Sequence, residues 1–163
     1  MLTHLFTPTQ CAQCKLCCNF RRTSAWETPA LDTDLANRLQ AQGIPLQCRE
    51  DGSCSFHLTY RSDNPDETAN CPMLDPAVGC MLPRNERPFE CRIWPLRLMK
   101  DTSDALVLGL YLDCPALTPS VRQKLTEEAT GPMLSMLLEQ ARLHPQIVRP
   151  LDPAYTVIRR FKS

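Results

Sequence analysis

The sequence predicts a small, irregular α+β domain with one β-hairpin and helices toward its C-terminus. Three observations carry that prediction. A chain of 163 residues fits a single domain, 1–163, with a modest core. Two apolar runs flank the polar stretch Asp101-Thr102-Ser103-Asp104. Helix-opening signals then follow at Thr118-Pro119 and Thr130-Gly131-Pro132.

Taken in order, the first element is a helix over 33–42. Leu31, Leu35 and Leu39 recur every four residues, Asp32 can cap the first turn, and Gly43 can end the last. Residues 54–60 alternate well enough for a half-buried strand. Residues 61–87 hold Asn64-Pro65, Cys71-Pro72, Asp75-Pro76, Gly79 and Leu82-Pro83, too many turn formers for regular structure. A loop of that length needs an anchor, and metal bonds to Cys71 and Cys80 would supply one, so the expected fold is metal-stapled.

The runs 92–100 and 105–113 form the hairpin, with 101–104 as its four-residue loop and Pro95 at an edge or a bulge. A helix from Thr118-Pro119 reaches about Glu128, and a second runs from Thr130-Gly131-Pro132 to about Leu143, where Pro145 stops it. Met133, Leu134, Met136, Leu137 and Leu138 read as core. Residues 155–161 form a final strand. There is no internal repeat.

Charge excludes two classes of partner. Lys plus Arg equal Asp plus Glu at 18 each, so no basic excess draws the chain to nucleic acid or an anionic membrane. The longest apolar run, 105–112, is far short of the ~20 residues of a membrane span. Pro8 interrupts the N-terminus before an apolar signal region forms, so the expected location is cytoplasmic.

The unusual numbers are 10 cysteines and 15 prolines against 5 glycines. In a reducing compartment such a density of thiols points to a metal site or a redox device ahead of disulfide staples. Cys11-x-x-Cys14-x-x-Cys17 is the informative spacing, because two intervening residues let a turn aim successive thiolates at one centre. Three cysteines so spaced fit three corners of an iron–sulfur cluster of the 4Fe–4S type, while zinc sites pair two such knuckles; mononuclear iron and a dithiol stay open.

Cys18 follows Cys17 directly, and neighbours in an extended segment point opposite ways, so both reach one ion only through a kink. A further ligand must come from Cys48, Cys54, Cys71, Cys80, Cys91 or Cys114. Cys71-Pro72 and Cys114-Pro115 each place a proline after a sulfur, fixing the turn.

Cys11-x-x-Cys14-x-x-Cys17-Cys18, then Cys71-Pro72-Met73-Leu74, Gly79-Cys80-Met81-Leu82, Arg87-Pro88-x-x-Cys91-Arg92 and Pro95, resembles the CxxCxxCC family of zinc- or iron-chelating cysteine-cluster proteins, also called YkgJ-like. The likeness covers about 11–95, and the extension from about 115 to 163 lies outside it. It implies metal-binding roles for Cys11, Cys14, Cys17, Cys18, Cys71, Cys80 and Cys91, without naming the metal. Two departures stand out. The stretch between Cys18 and Cys71 has its own Cys48 and Cys54, leaving room for a second site, and Met81-Leu82-Pro83 replaces the pair preferred after Cys80. Arg87 and Arg92 bracket Cys91 and are placed to offset a cofactor's negative thiolates through N–H···S bonds. His57, three residues after Cys54, reads as an ordinary strand side chain.

No Ser-His-Asp set, phosphate loop, dinucleotide glycine pattern or His-Glu-x-x-His helix occurs, so any chemistry belongs to the metal. The first expectation is an accessory or non-catalytic metalloprotein. The alternatives are a cluster-dependent enzyme similar, across the cysteine region, to flagellin lysine-N-methylase, and a structural zinc interaction module. The sequence shows no S-adenosylmethionine motif for the former.

Overall fold

In the computed structural model, which describes residues 2, 5–6, 12–50 and 52–161, helices accompany several small sheets in an α+β architecture. The chain divides into two compact units, Pro8–Arg92 and Ile93–Ser163 with Met1–Thr7.

In chain order the first unit contains β1 (Asn19–Arg21), β2 (Ala30–Leu31), α1 (Thr33–Ala41), β3 (Leu46–Cys48), β4 (Cys54–Phe56), β5 (Thr68–Asn70), β6 (Leu74–Asp75), β7 (Gly79–Cys80) and the start of α2 (Phe89–Ile93). β1 pairs antiparallel with β5, β6 with β7, and β2-β4-β3 form a three-stranded sheet.

α1 forms for the expected reasons. Asp32 Oδ1 accepts the Leu35 N–H at 2.8 Å, and Leu35, Ala36 and Leu39 bury one face. Gly43 takes φ +76° just beyond the end, where its amide donates to Gln40 and that of Ile44 to Leu39. The buried cluster of this unit joins Leu31, Leu35, Leu39 and Phe56 to Phe20, Met73 and Leu82.

The expected strand over 54–60 stops at Phe56. Beyond it Tyr60 turns its hydroxyl to the carbonyls of Phe20 and Arg21, at 3.3 and 3.2 Å. The expected loop over 61–87 holds three strands, β5 to β7, and a 3-10 turn at Arg84–Glu86. Each strand is two or three residues long and takes its partner from a turn or from β1, so no alternation marks it in the sequence. Within this stretch the Glu67 carboxylate accepts the Arg61 N–H at 2.5 Å and the Ser62 N–H at 2.7 Å.

The second unit contains β8 (Leu96–Lys100), β9 (Leu106–Tyr111), α3 (Pro119–Thr130), α4 (Leu134–Leu143), β10 (Arg149–Pro150) and β11 (Tyr155–Arg160). Its sheet runs β10-β8-β9-β11, with β10 parallel to β8 and the other neighbours antiparallel. β8 and β9 are the expected hairpin, in register from Leu96↔Leu110 to Lys100↔Leu106, but its first arm starts at Leu96 and not at Arg92, since Arg92 and Ile93 end α2. Asp101 Oδ1 closes its turn by accepting the N–H groups of Ser103 and Ala105. Pro95 precedes the first residue of β8, at the end away from β10, which pairs only with Met99 and Lys100. There its carbonyl accepts the Tyr111 N–H at 3.0 Å, and the missing proline amide interrupts no rung within the strand.

α3 starts at Pro119 with Thr118 Oγ1 accepting the Val121 N–H, and α4 ends before Pro145. Met133 and Leu137 are buried, one helical turn apart, whereas Leu138 is exposed, so the apolar cluster is only partly core. Trp94, Tyr111 and Tyr155 form a chain of tilted rings, with centroids 5.4 and 5.3 Å apart. Among the described residues no helix is long and apolar enough to cross a membrane.

Two measurements follow from these contacts. In urea unfolding, Leu39→Ala should cost about 2–5 kcal/mol through the cavity it leaves, and Asp32→Ala about 1 kcal/mol through the lost cap. The backbone N–H of Arg61, then the Ser62 hydroxyl, hold the Glu67 carboxyl below its usual range. A depressed acid stabilises the fold above its unfolded value of about 4.3 and loses that contribution as pH falls. Protection of the Arg61 and Ser62 amides, taken relative to their intrinsic exchange at each pH, should therefore fall below about pH 4 in the native protein and at neutral pH in Glu67→Gln.

Candidate functional site

The cysteines meet because strand pairing brings their neighbours together. Cys18 directly precedes β1 and Cys71 directly follows β5, and in the β1–β5 ladder Asn19 pairs with Asn70. The ladder continues one rung further, with the Cys71 N–H donating to the Cys18 carbonyl at 2.7 Å. Residues 53 apart in sequence thus become neighbours.

Cys80 arrives by a local route. β7 folds back on β6 with Leu74 opposite Cys80, the Leu74 N–H donates to the Cys71 carbonyl, and the Met81 N–H donates to that of Met73. The turn between them is set by Asp75 Oδ1, which accepts the N–H groups of Ala77 and Val78 at 2.7 and 2.9 Å. Gly79 takes φ +88°, and a Cβ there would lie 3.2 Å from Ala12 Cα. This glycine lets the hairpin approach the backbone of the N-terminal cysteine run.

Cys91 is delivered by α2. The adjacent Glu90 is buried and its Oε2 accepts the Ala30 N–H of β2 at 2.6 Å, tying the short helix to the rest of the unit. Cys14 ends a helical turn over 12–14, Lys15 takes φ 54°, and Leu16–Cys18 form a 3-10 turn. Cys17 and Cys18 therefore do not lie in extended chain, and their sulfurs are 3.9 Å apart on one turn. Cys11 lies outside the described residues.

Cys18, Cys71, Cys80 and Cys91 act on one another's ionisation. Burial pushes the Cys71 thiol up to about 12, and charge on Cys18 and Cys80 adds to the rise. Burial likewise raises Cys91, with Cys18, Cys71, Cys80 and Glu90 reinforcing it. Burial raises Cys80 as well, against the opposing pull of the Arg87 guanidinium and the Leu82 amide. Cys18 moves the other way, lowered by its hydrogen bond with Cys17 and by Arg87 in spite of burial. The Met73 amide favours the Cys71 thiolate as the Leu82 amide favours that of Cys80. Each sulfur thus faces the N–H two residues further on.

No family model matches the chain, and no curated protein or solved structure matches it.

Of the two arginines, Arg87 turns its donors to backbone carbonyls, Nε to Leu82 at 3.1 Å and an Nη to Cys80 at 3.4 Å, while its charge acts on the sulfurs. Arg92 lies over the Phe89 ring at 5.9 Å. Cys114 is buried in the other unit. Cys48 and Cys54 are joined in a disulfide across β3 and β4, which removes the second metal site that their presence suggested. Among the described residues no three His, Cys, Asp or Glu side chains stand close enough to hold a metal ion as they are. The donor set nevertheless suits a soft or borderline cation: four thiols, two of them with amide donors that favour the thiolate.

Two supports of the site, the Glu90 tie and the approach of Gly79 to Ala12, and the disulfide beside it are not among the features expected from the sequence. Only the disulfide carried a signal, since Cys48 and Cys54 flank Gly52 at a spacing that suits a hairpin.

Gly79→Ala separates close approach from backbone strain. It should lose the roughly 1–2 kcal/mol of a left-handed residue and a further loss from the Ala12 contact. Gly52→Ala, at φ +79° with nothing within 4 Å, should show the strain alone. Urea unfolding of the two variants measures the difference.

Proposed function

We propose that this chain is a metal-binding protein whose Pro8–Arg92 unit holds an iron–sulfur cluster or zinc on cysteine thiolates, in an accessory, non-catalytic role. The observation that carries the reading is that strand pairing makes Cys18 and Cys71 neighbours and sets Cys80 opposite Leu74, near enough to one another and to Cys91 for charge on one thiol to act on the next. Thiols kept neutral, Cys71 buried and the other three half-buried, contribute nothing to a fold that a leucine would not contribute better. A cation reverses that balance, because it deprotonates the thiols and turns their burial into binding free energy.

Cys11, Cys14 and Cys17 are the remaining ligand candidates, supported by the spacing of the run and the resemblance to CxxCxxCC proteins. They would allow a cluster or a second ion in place of a single four-sulfur site. Arg87 would offset the negative charge that four thiolates leave around a divalent ion. The metal would brace the short strands around the site, and a reducing cytoplasm would keep the thiols available for it.

Anaerobic purification with elemental analysis tests the reading. About four irons and four sulfides with charge-transfer absorbance, or about one zinc per site, is expected. Cys71→Ser should lose the metal while Cys114→Ser keeps it. A chain that takes up neither iron nor zinc with its thiols reduced overturns the proposal.

The pKa directions supply a second measurement. Cys71, Cys80 and Cys91 are held neutral at pH 7, so loading with zinc should release a proton from each of them, with any from Cys18 in addition, and affinity should rise with pH until those thiols ionise unaided. Proton release in weak buffer, followed by indicator or calorimetry, gives the number.

A further inference from the structure

Cys48 and Cys54 are the sulfurs that the proposed metal site does not use. They face each other across the antiparallel pair β3–β4 and are bonded. The hairpin is already closed without them. The Arg49 N–H donates to the Ser53 carbonyl at 2.9 Å, the Gly52 N–H to the Arg49 carbonyl at 3.0 Å, and the His57 N–H to the Pro45 carbonyl at 3.0 Å. Gly52, at φ +79°, supplies the left-handed residue of the turn.

As a staple the bridge adds less than one that closes a long loop. It spans a sequence separation of 6, and the loss of unfolded-chain entropy from a cross-link shrinks with the loop it closes. It is also easily reached. β3 is an outer strand of β2-β4-β3, Cys48 is exposed upon it, and charged Arg49 and Glu50 follow in the turn. Cys54, only partly buried, packs on the hydrophobic cluster that Cys18 and Cys80 also touch.

We propose that Cys48–Cys54 is a thiol–disulfide exchange site that takes two electrons from an external dithiol. A thiolate of the dithiol attacks the exposed Cys48 sulfur in line with the S–S bond. That bond breaks, a mixed disulfide forms on Cys48, and Cys54 leaves as a thiolate and takes up a proton. The second thiol of the reductant loses its proton and attacks its own partner's sulfur in the mixed disulfide. Cys48 is released as a thiolate and protonated, and the reductant departs as its disulfide. Two electrons and two protons have then moved to the bridge. The inference stands apart from the metal reading, since neither sulfur belongs to the thiol group described above.

The test uses the full chain, with dithiothreitol as the reductant and acid quenching, alkylation and mass spectrometry as the readout. The Cys48 and Cys54 thiols should appear together, at a rate within about tenfold of that in the urea-unfolded chain, and oxidised dithiothreitol should restore the bridge. Amide exchange protection at His57 should persist in the reduced form, because the hairpin's own hydrogen bonds remain. Reduction slower than that limit, or loss of His57 protection on reduction, identifies a structural staple and overturns the proposal. So does a chain in which the two thiols never pair under oxidised dithiothreitol.

Discussion

The hydrogen bond from the Cys71 amide to the Cys18 carbonyl is the point on which the first unit turns. It extends the β1–β5 ladder by one rung, and the sulfurs at that rung are the first two of the four that gather. The sheet involved is only two strands of three residues, a size at which pairing alone is marginal in water. What flanks it must therefore help, and the flanks are Phe20, Met73 and Leu82 of the buried cluster and the sulfurs themselves. Short strands, a thin core and gathered thiols belong to one arrangement.

Charge explains why the arrangement calls for something more. Burial drives three of the four thiols away from ionisation, while the Arg87 guanidinium and two backbone amides lean toward the anion. A purely structural pocket would have no use for donors that favour a charged form it cannot hold. The same donors serve well where a cation supplies the missing positive charge, and this tension within the group is the physical basis of the functional proposal.

Legibility in the sequence followed the range of the interactions. α1 announced itself through Asp32, three leucines at helical spacing and Gly43, all local signals. The β8–β9 hairpin and both C-terminal helices were legible for the same reason, with Thr118, Pro119 and Pro145 marking boundaries. β5, β6 and β7 were not, because what makes them strands is a partner dozens of residues away or a turn made by the Asp75 side chain. For the candidate site, the motifs singled out Cys11, Cys14, Cys17, Cys18, Cys71, Cys80 and Cys91; the linked group holds the last four, and Cys11 lies outside the described residues. The motifs could not show that Glu90 fastens Cys91, since the pairing of a carboxylate with the Ala30 amide leaves no pattern along the chain.

The aromatic residues have an optical consequence. The chain has two tryptophans, Trp26 in the first unit and Trp94 in the second. Trp94 begins the ring series with Tyr111 and Tyr155, close enough for light absorbed by the tyrosines to emerge as indole emission. Each unit thus carries its own fluorophore, and that of Ile93–Ser163 has a phenolic antenna beside it. A drop in tyrosine-sensitised indole emission would report the parting of these rings.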